Sequence, residues 1–289
     1  MTCDKLRIYK APSFRNPRLV LGFSGWMDGG DVSTGTIRVL CERLGAERLA
    51  EIEPEGFYIY SFPGAMEIAA LFRPHCRVHE GLIRQFEFPE NRFFGAEESD
   101  VILFLGKEPN LAWEGYAECL LTLCREFGVQ MIYFIGSVGG LVPHTRDPQM
   151  FCSVSDARLK GHFGDYGVKF SDYEGPASFV TYLTTKAKEW DIDMVSFVAT
   201  VPAYVQGSNP KCVEAVTRRI AGMLGVHVEL DDLRVVGDEF EKRLSEVVQE
   251  EPELAENIVK LEQDYDNEVF NNDMPDLKRW LHQKGIRLD

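Results

Sequence analysis

Leu19–Asp31, LVLGFSGWMDGGD, decides the fold. Leu19 to Phe23 is an apolar run that breaks into a glycine-rich turn. Asp31 then opens a helical pattern carried by Val32, Thr36, Val39, Leu40 and Leu44. A buried strand, a tight turn and a helix form the entry unit of a layered α/β domain. The turn glycines permit close packing and left-handed backbone. Their spacing is neither G-x-G-x-x-G nor a phosphate loop ending in G-K-[ST]. Asp28 and Asp31 stand where a helix N-terminus would otherwise attract an anion, and their carboxylates are expected to cap its free N–H groups. The first helix therefore reads as self-capped, not as a nucleotide cradle. Trp26 is not needed for turning. It either folds back onto the core or forms a binding ridge at the carboxyl end of a strand.

The same unit recurs along the chain. Val101–Leu105 is a fully apolar run, as in a central parallel strand. It ends in Gly106-Lys107-Glu108-Pro109. A helix follows with Trp113, Ala117, Leu120, Leu121 and Cys124 on its apolar side, stopped by Gly128. Met131–Ile135 is the next buried strand and leads to the loop Pro143-His144-Thr145-Arg146-Asp147. Met194–Val201 is another, ending in Pro202-Ala203-Tyr204, with a helix started by Asn209-Pro210 and closed at Gly225. Short strands are expected at Phe57–Ser61 and Val226–Leu230, and a strand pair between Arg77 and Phe88. Residues 150–175 read as irregular, and Gly175-Pro176 as a helix start. The class is α/β: three α/β/α layers around a largely parallel sheet, with a helical extension at the C-terminal end.

Composition narrows the function. The chain has 289 residues and a net charge of −15. That charge disfavours nucleic acid and anionic membranes as partners, because both are polyanions. No apolar stretch approaches a membrane span, and the first residues lack the apolar core of a signal peptide. Seven cysteines are scattered without C-x-x-C, and most of them read as small core side chains in a reducing, cytoplasmic setting. From Asp231 to Glu268 there are fourteen Asp or Glu against four Lys or Arg, a net −10. Leu254, Ile258, Leu261 and Tyr265 form an apolar stripe through this acidic stretch. It reads as an acidic helical hairpin packed on the main domain, with a solvated face or a docking surface for a basic partner. The chain is accordingly divided into a core, residues 1–236, and an acidic lobe, residues 237–289.

Five residues fall just after strands of the expected parallel sheet: Trp26, Asp28, Glu108, His144 and Arg146. They are expected to line one cleft at the strand carboxyl ends, with Arg146 held by Asp28 or Glu108. Trp113, Thr145 and Tyr204 complete the candidate set. His144 beside Asp147 has the make-up of a general base and its orienting group. The alternative is a loop tied to its own backbone. No nucleophile-elbow serine or cysteine accompanies them. His75 and His79 flank a strand start rather than a helix face. No catalytic residue, metal or cofactor is therefore assigned.

Four landmarks occur in order: G-W-x-D-x-G at Gly25–Gly30, G-x-E-P-x-x-x-W at Gly106–Trp113, P-H-T-R at Pro143–Arg146, and V-P-x-Y with a later N-P at Val201–Pro210. Gly175-Pro176 matches a fifth. Together they resemble the proteasome assembly chaperone 2 family in its bacterial and archaeal branch. The resemblance implies an α/β/α fold similar to nucleoside phosphorylases and a non-catalytic, protein-binding role in assembly. It also implies a homo-oligomer, with a trimer favoured. Asp147 stands where bacterial members usually have a second proline. Proteasome-binding relatives end in a hydrophobic residue, a tyrosine and one more residue, whereas this chain ends Arg287-Leu288-Asp289. Two other readings stand beside it. One is a binder or enzyme for a nucleoside-like small molecule in the strand-end cleft, by fold analogy. The other is a purely structural homo-oligomer.

Overall fold

The computed structural model describes residues 3–273. The end of the acidic lobe, residues 274–289, with the terminal Arg287-Leu288-Asp289, lies outside the described residues. The run LVLGF lies in strand β2 (Arg18–Ser24), whose residues 19–23 are all buried. Parallel neighbours flank it on both sides, β7 (Val101–Lys107) and β8 (Met131–Gly140), and β11 (Asp193–Pro202) continues the parallel set beyond β8. The nine-stranded sheet is completed by antiparallel edges. On one side lie β6 (Arg92–Ala96), β3 (Glu47–Ile52) and β1 (Leu6–Ile8). On the other, β9 (Met150–Val154) runs antiparallel to β11, and the two-residue β10 (Lys169–Phe170) runs parallel to β9.

Helices cover both faces, as four buried parallel strands require. One apolar cluster joins the sheet to α3 (Trp113–Phe127) and α5 (Phe179–Glu189). The other joins the opposite face to α1 (Val32–Arg43), the short α4 (Leu159–Phe163) and α6 (Pro210–Leu224). Helices α7 (Asp231–Gln249) and α8 (Pro252–Asp273) form the acidic hairpin, and α7 packs on α6. Gly237 sits at this crossing, where a Cβ would lie 3.1 Å from Lys211 Cα. Helix α7 therefore runs unbroken through position 237. The stripe faces inward as expected, with Ile258 buried and Leu254, Leu261 and Tyr265 half-buried.

Several local expectations are corrected. Phe57–Ser61 is not a strand: its backbone binds a loop instead of a ladder, with Asn110 and Leu111 N–H donating to Phe57 O at 2.9 and 3.0 Å. Val226–Leu230 is not a strand either. The edge of β11 is already taken by β9, from a stretch that reads as irregular in sequence. Helix α5 starts after Ser178, whose hydroxyl accepts from Thr181 N–H at 3.2 Å, and not at Gly175-Pro176. Cys3 and Cys119 form a disulfide across 116 residues. Cys124, Cys152 and Cys212 are buried free thiols, and burial pushes those of Cys152 and Cys212 up to about 12.

The expected strand pair is present as β4 (His75–His79) and β5 (Leu82–Glu87), a separate two-stranded hairpin reached through the short helix α2 (Met66–Ala70).

Gly22 is the tightest point of the first unit. A Cβ there would lie 2.4 Å from Ile37 Cγ1 and 2.8 Å from Ser33 O, so α1 seats directly on β2. Gly22→Ala should therefore destabilise the fold by about 1–3 kcal/mol, the usual cost of overpacking. Denaturant unfolding measures this, and an unchanged midpoint would show that α1 moves away freely.

Candidate functional site

The glycine-rich turn is built from its own side chains. Asp28 Oδ1 accepts from Thr34 N–H at 3.0 Å and Oδ2 from the Thr34 hydroxyl at 2.8 Å. Asp28 thus caps α1, and burial raises its pKa. Asp31, expected to share this task, makes no cap hydrogen bond and has φ 54°. Ser137, in the second half of β8, anchors the turn, its N–H donating to Met27 O at 2.9 Å and its hydroxyl to Gly29 O at 2.7 Å. Trp26 stands out of this turn 68% exposed, so it does not fold back onto the core.

Glu108 and Trp113 serve the α3–α5 layer. Glu108 Oε1 accepts from Phe179 N–H at 2.9 Å and so caps α5. Trp113 Nε1 donates to Pro109 O at 2.9 Å, and its ring lies 6.0 Å from those of Phe179 and Tyr182. Among the described residues no hydrogen bond, ion pair or ring contact links Trp26, Asp28 or Glu108 to His144 or Arg146.

The P-H-T-R loop is instead clamped by the acidic hairpin. His144 is almost fully buried. Its backbone N–H donates to the Tyr204 hydroxyl at 2.8 Å; its Nδ1 lies 2.9 Å from the same oxygen and its Nε2 3.0 Å from Ser245 Oγ of α7. Because Tyr204 accepts the backbone N–H, its own proton points to Nδ1. We assign the Nε2–H tautomer on this network. Thr145 hydrogen-bonds Glu262. Arg146 is bidentate to Asp266 at 2.8 Å on each arm, and Glu262 lies 3.6 Å away. The Arg146 partner is thus on α8, not Asp28 or Glu108 as expected. The correction has a simple cause: the hairpin returns to the loop some 120 residues later in sequence. Asp147 pairs with Arg218 at 3.0 Å, so the His144–Asp147 dyad does not form. Lys211 extends the clamp, donating to His144 O at 3.0 Å and pairing with Glu241.

Sequence reading missed Asn91, which is 1% exposed. Its Oδ1 accepts from Tyr116 Oη at 2.9 Å and Lys107 N–H at 3.3 Å, and lies 2.6 Å from Tyr58 Oη. A lone asparagine between two strands carries no local signal, and only its burial reveals the node. Among the described residues no cluster of three His, Cys, Asp or Glu side chains is set to hold a metal. None of the described helices is long and apolar enough to cross a membrane.

The family model of the PAC2 family matches residues 22–248, from the end of β2 through both helical layers to the last turn of α7. The chain belongs to the PAC2 family. A comparison of this PAC2 chain with curated proteins finds no match. Among solved structures it is similar to a proteasome-assembly chaperone homologue of Mycobacterium tuberculosis, with 29% identity and a TM-score of 0.72 over 83% of this chain and 99% of that one. A protein of unknown function from the same organism aligns at 23% identity and a TM-score of 0.80, covering 94% of this chain and 92% of the other. An archaeal proteasome activator of Pyrococcus furiosus has the same fold at 18% identity and a TM-score of 0.62, covering 84% and 97%.

Burial lowers the His144 pKa from its ordinary 6.5. The unfolded PAC2 chain therefore takes up this proton first. Its contribution to stability is complete above about pH 6.5 and declines as pH falls below that value toward the lowered pKa. The melting temperature should drop between about pH 7 and 5.5, and His144→Gln should flatten the slope. Equal slopes in the two proteins would assign the acid sensitivity to other groups.

Proposed function

We propose that this chain is a non-catalytic, protein-binding assembly factor of the proteasome-assembly-chaperone type, acting as a cytoplasmic homo-oligomer, with a trimer favoured. The observation that supports it most directly is the β4–β5 hairpin. Every residue of both strands is exposed. In its register Cys76 faces Phe86 and Val78 faces Ile83, which puts four apolar side chains on one side; His75, Arg77, Gln85 and Glu87 lie on the other. An isolated two-stranded hairpin is marginal in water, and an exposed apolar face of this kind marks a protein interface. Met66 and Leu71 in and beside α2 add further exposed apolar surface. Membership of the PAC2 family and the likeness to an assembly-chaperone homologue point the same way.

In this reading Trp26 is an exposed anchor for a partner, while His144, Thr145, Arg146 and Tyr204 hold the acidic hairpin in place. Asp28, Glu108 and Trp113 shape the turn and the strand-end loops around it.

Light scattering combined with a pull-down on purified proteasome core particles and their free subunits tests the proposal. The expected result is a discrete oligomer that retains proteasome subunits, and whose retention falls at least tenfold in Ile83→Glu/Phe86→Glu. A monomer at micromolar concentration that retains none would refute it.

The clamp itself should be sensitive to packing at the α6–α7 crossing. Gly237→Val would set side-chain atoms against the Lys211 backbone and push α7 away from α6. Hydrogen exchange across residues 231–268 should then accelerate, while β2, β7 and β8 stay protected. Uniform loss of protection would instead make the hairpin part of the cooperative core.

A further inference from the structure

The carboxyl ends of β2 and β7 open into a cleft of about 300 Å³. Neighbouring parallel strands place their ligands at such ends. Its floor and walls include Leu105, Phe88 and Phe94, and three cations border it: Arg38, Arg92 and Lys107. It is separate from the P-H-T-R clamp, and none of the clamp residues lines it.

The backbone of Lys107 is fixed on both sides. Its N–H donates to Asn91 Oδ1 at 3.3 Å, and its carbonyl oxygen lies 2.7 Å from Tyr58 Oη. Asn91 and Tyr58 are both buried. The side chain is half-buried, and among the described residues its ammonium has no hydrogen-bond or ion-pair partner. Burial alone lowers its pKa, with no anion near enough to offset this. The other two cations differ. Arg38 donates to Thr34 Oγ1 at 3.1 Å, and Thr34 is itself held by Asp28. Arg92 pairs with Glu90, but its Nε is buried without an acceptor. The cleft also has two carboxylates. Glu90 belongs to Arg92, and Glu87 takes the Gln85 amide and faces His75 at 3.5 Å. Neither neutralises Lys107.

In a chain of net charge −15, a concave, half-apolar site with an uncompensated lysine is not explained by packing. A half-buried ammonium has lost part of its hydration, and a ligand of opposite sign can replace it. We propose that this cleft binds a small organic anion, a carboxylate or phosphate monoester, whose charged end meets Lys107 and Arg38 and whose apolar part lies against Phe88, Phe94 and Leu105. The volume suits a ligand of modest size. This site is independent of the assembly role and neither supports nor requires it.

Calorimetric titration of the full chain with benzoate, phenyl phosphate and neutral benzyl alcohol tests the assignment. At least one of the two anions should bind saturably with one site per chain, and benzyl alcohol at least tenfold more weakly. Which anion binds decides between carboxylate and phosphate. Lys107→Met should weaken binding at least tenfold, whereas Lys160→Met, on an exposed face, should not. Affinity should also fall as pH rises through the lowered pKa of Lys107, because the anion needs the ammonium form. Lys107→Met removes an uncompensated charge, so it should keep the wild-type melting temperature; should it fail to fold, Arg38→Met provides the same comparison. Equal affinity in wild type and variant, equal binding of the neutral probe, or no saturable binding of either anion would overturn the site.

Discussion

The position of β2 between two parallel neighbours constrains the rest of the molecule. It is hydrogen-bonded to β7 along its whole length and to β8 over Arg18–Gly22. Its interior residues are buried on both faces. A strand with no free edge and no free face must be covered by helices above and below. That requirement places α1 against Gly22 on one side and α3 and α5 on the other. The glycine is the point at which sequence meets geometry, because any larger residue there would collide with Ile37 and the Ser33 carbonyl. The turn after β2 then has one direction left, and Ser137 of β8 secures it.

A second constraint is electrostatic. The hairpin α7–α8 carries most of the excess negative charge, and it is docked over a row of cations. Arg43 meets Asp232, Lys211 meets Glu241, Arg146 meets Asp266, and Lys169 meets Glu268. Each of these pairs is partly exposed, and such pairs contribute little singly. The apolar contacts of Val248 and Ile258, both buried, and the close crossing at Gly237 give the docking its position. The charges then select register. This arrangement turns the P-H-T-R loop from an open strand-end loop into a covered one. It accounts for the burial of His144 and for its preference for the neutral form.

The side chains of the strand ends thus divide their labour. Asp28 and Glu108 hold helix N-termini, the first of α1 and the second of α5. His144, Thr145 and Arg146 hold the hairpin. Two open surfaces among the described residues differ in character. One is the apolar face of the β4–β5 hairpin, suited to a protein. The other is the cleft at Lys107, suited to a small anion.

The sequence by itself determined the elements whose signals are local. The four parallel strands are apolar runs, the helix ends at Gly128 and Gly225 are left-handed glycines, and Asn209 caps α6 ahead of Pro210. The acidic hairpin was legible from charge and from the stripe ending at Tyr265. The ordered motifs were enough to mark the resemblance that the family match bears out. Only the tertiary structure decided the long-range choices. Whether Arg146 met Asp28, Glu108 or Asp266 depended on how a hairpin 120 residues away folded back, and all three offer the same carboxylate. Whether β11 was bordered by Val226–Leu230 or by β9 depended on competition for one edge. Asn91 and Lys107 look ordinary in sequence, because partnering and burial are properties of the folded chain and not of any residue within it.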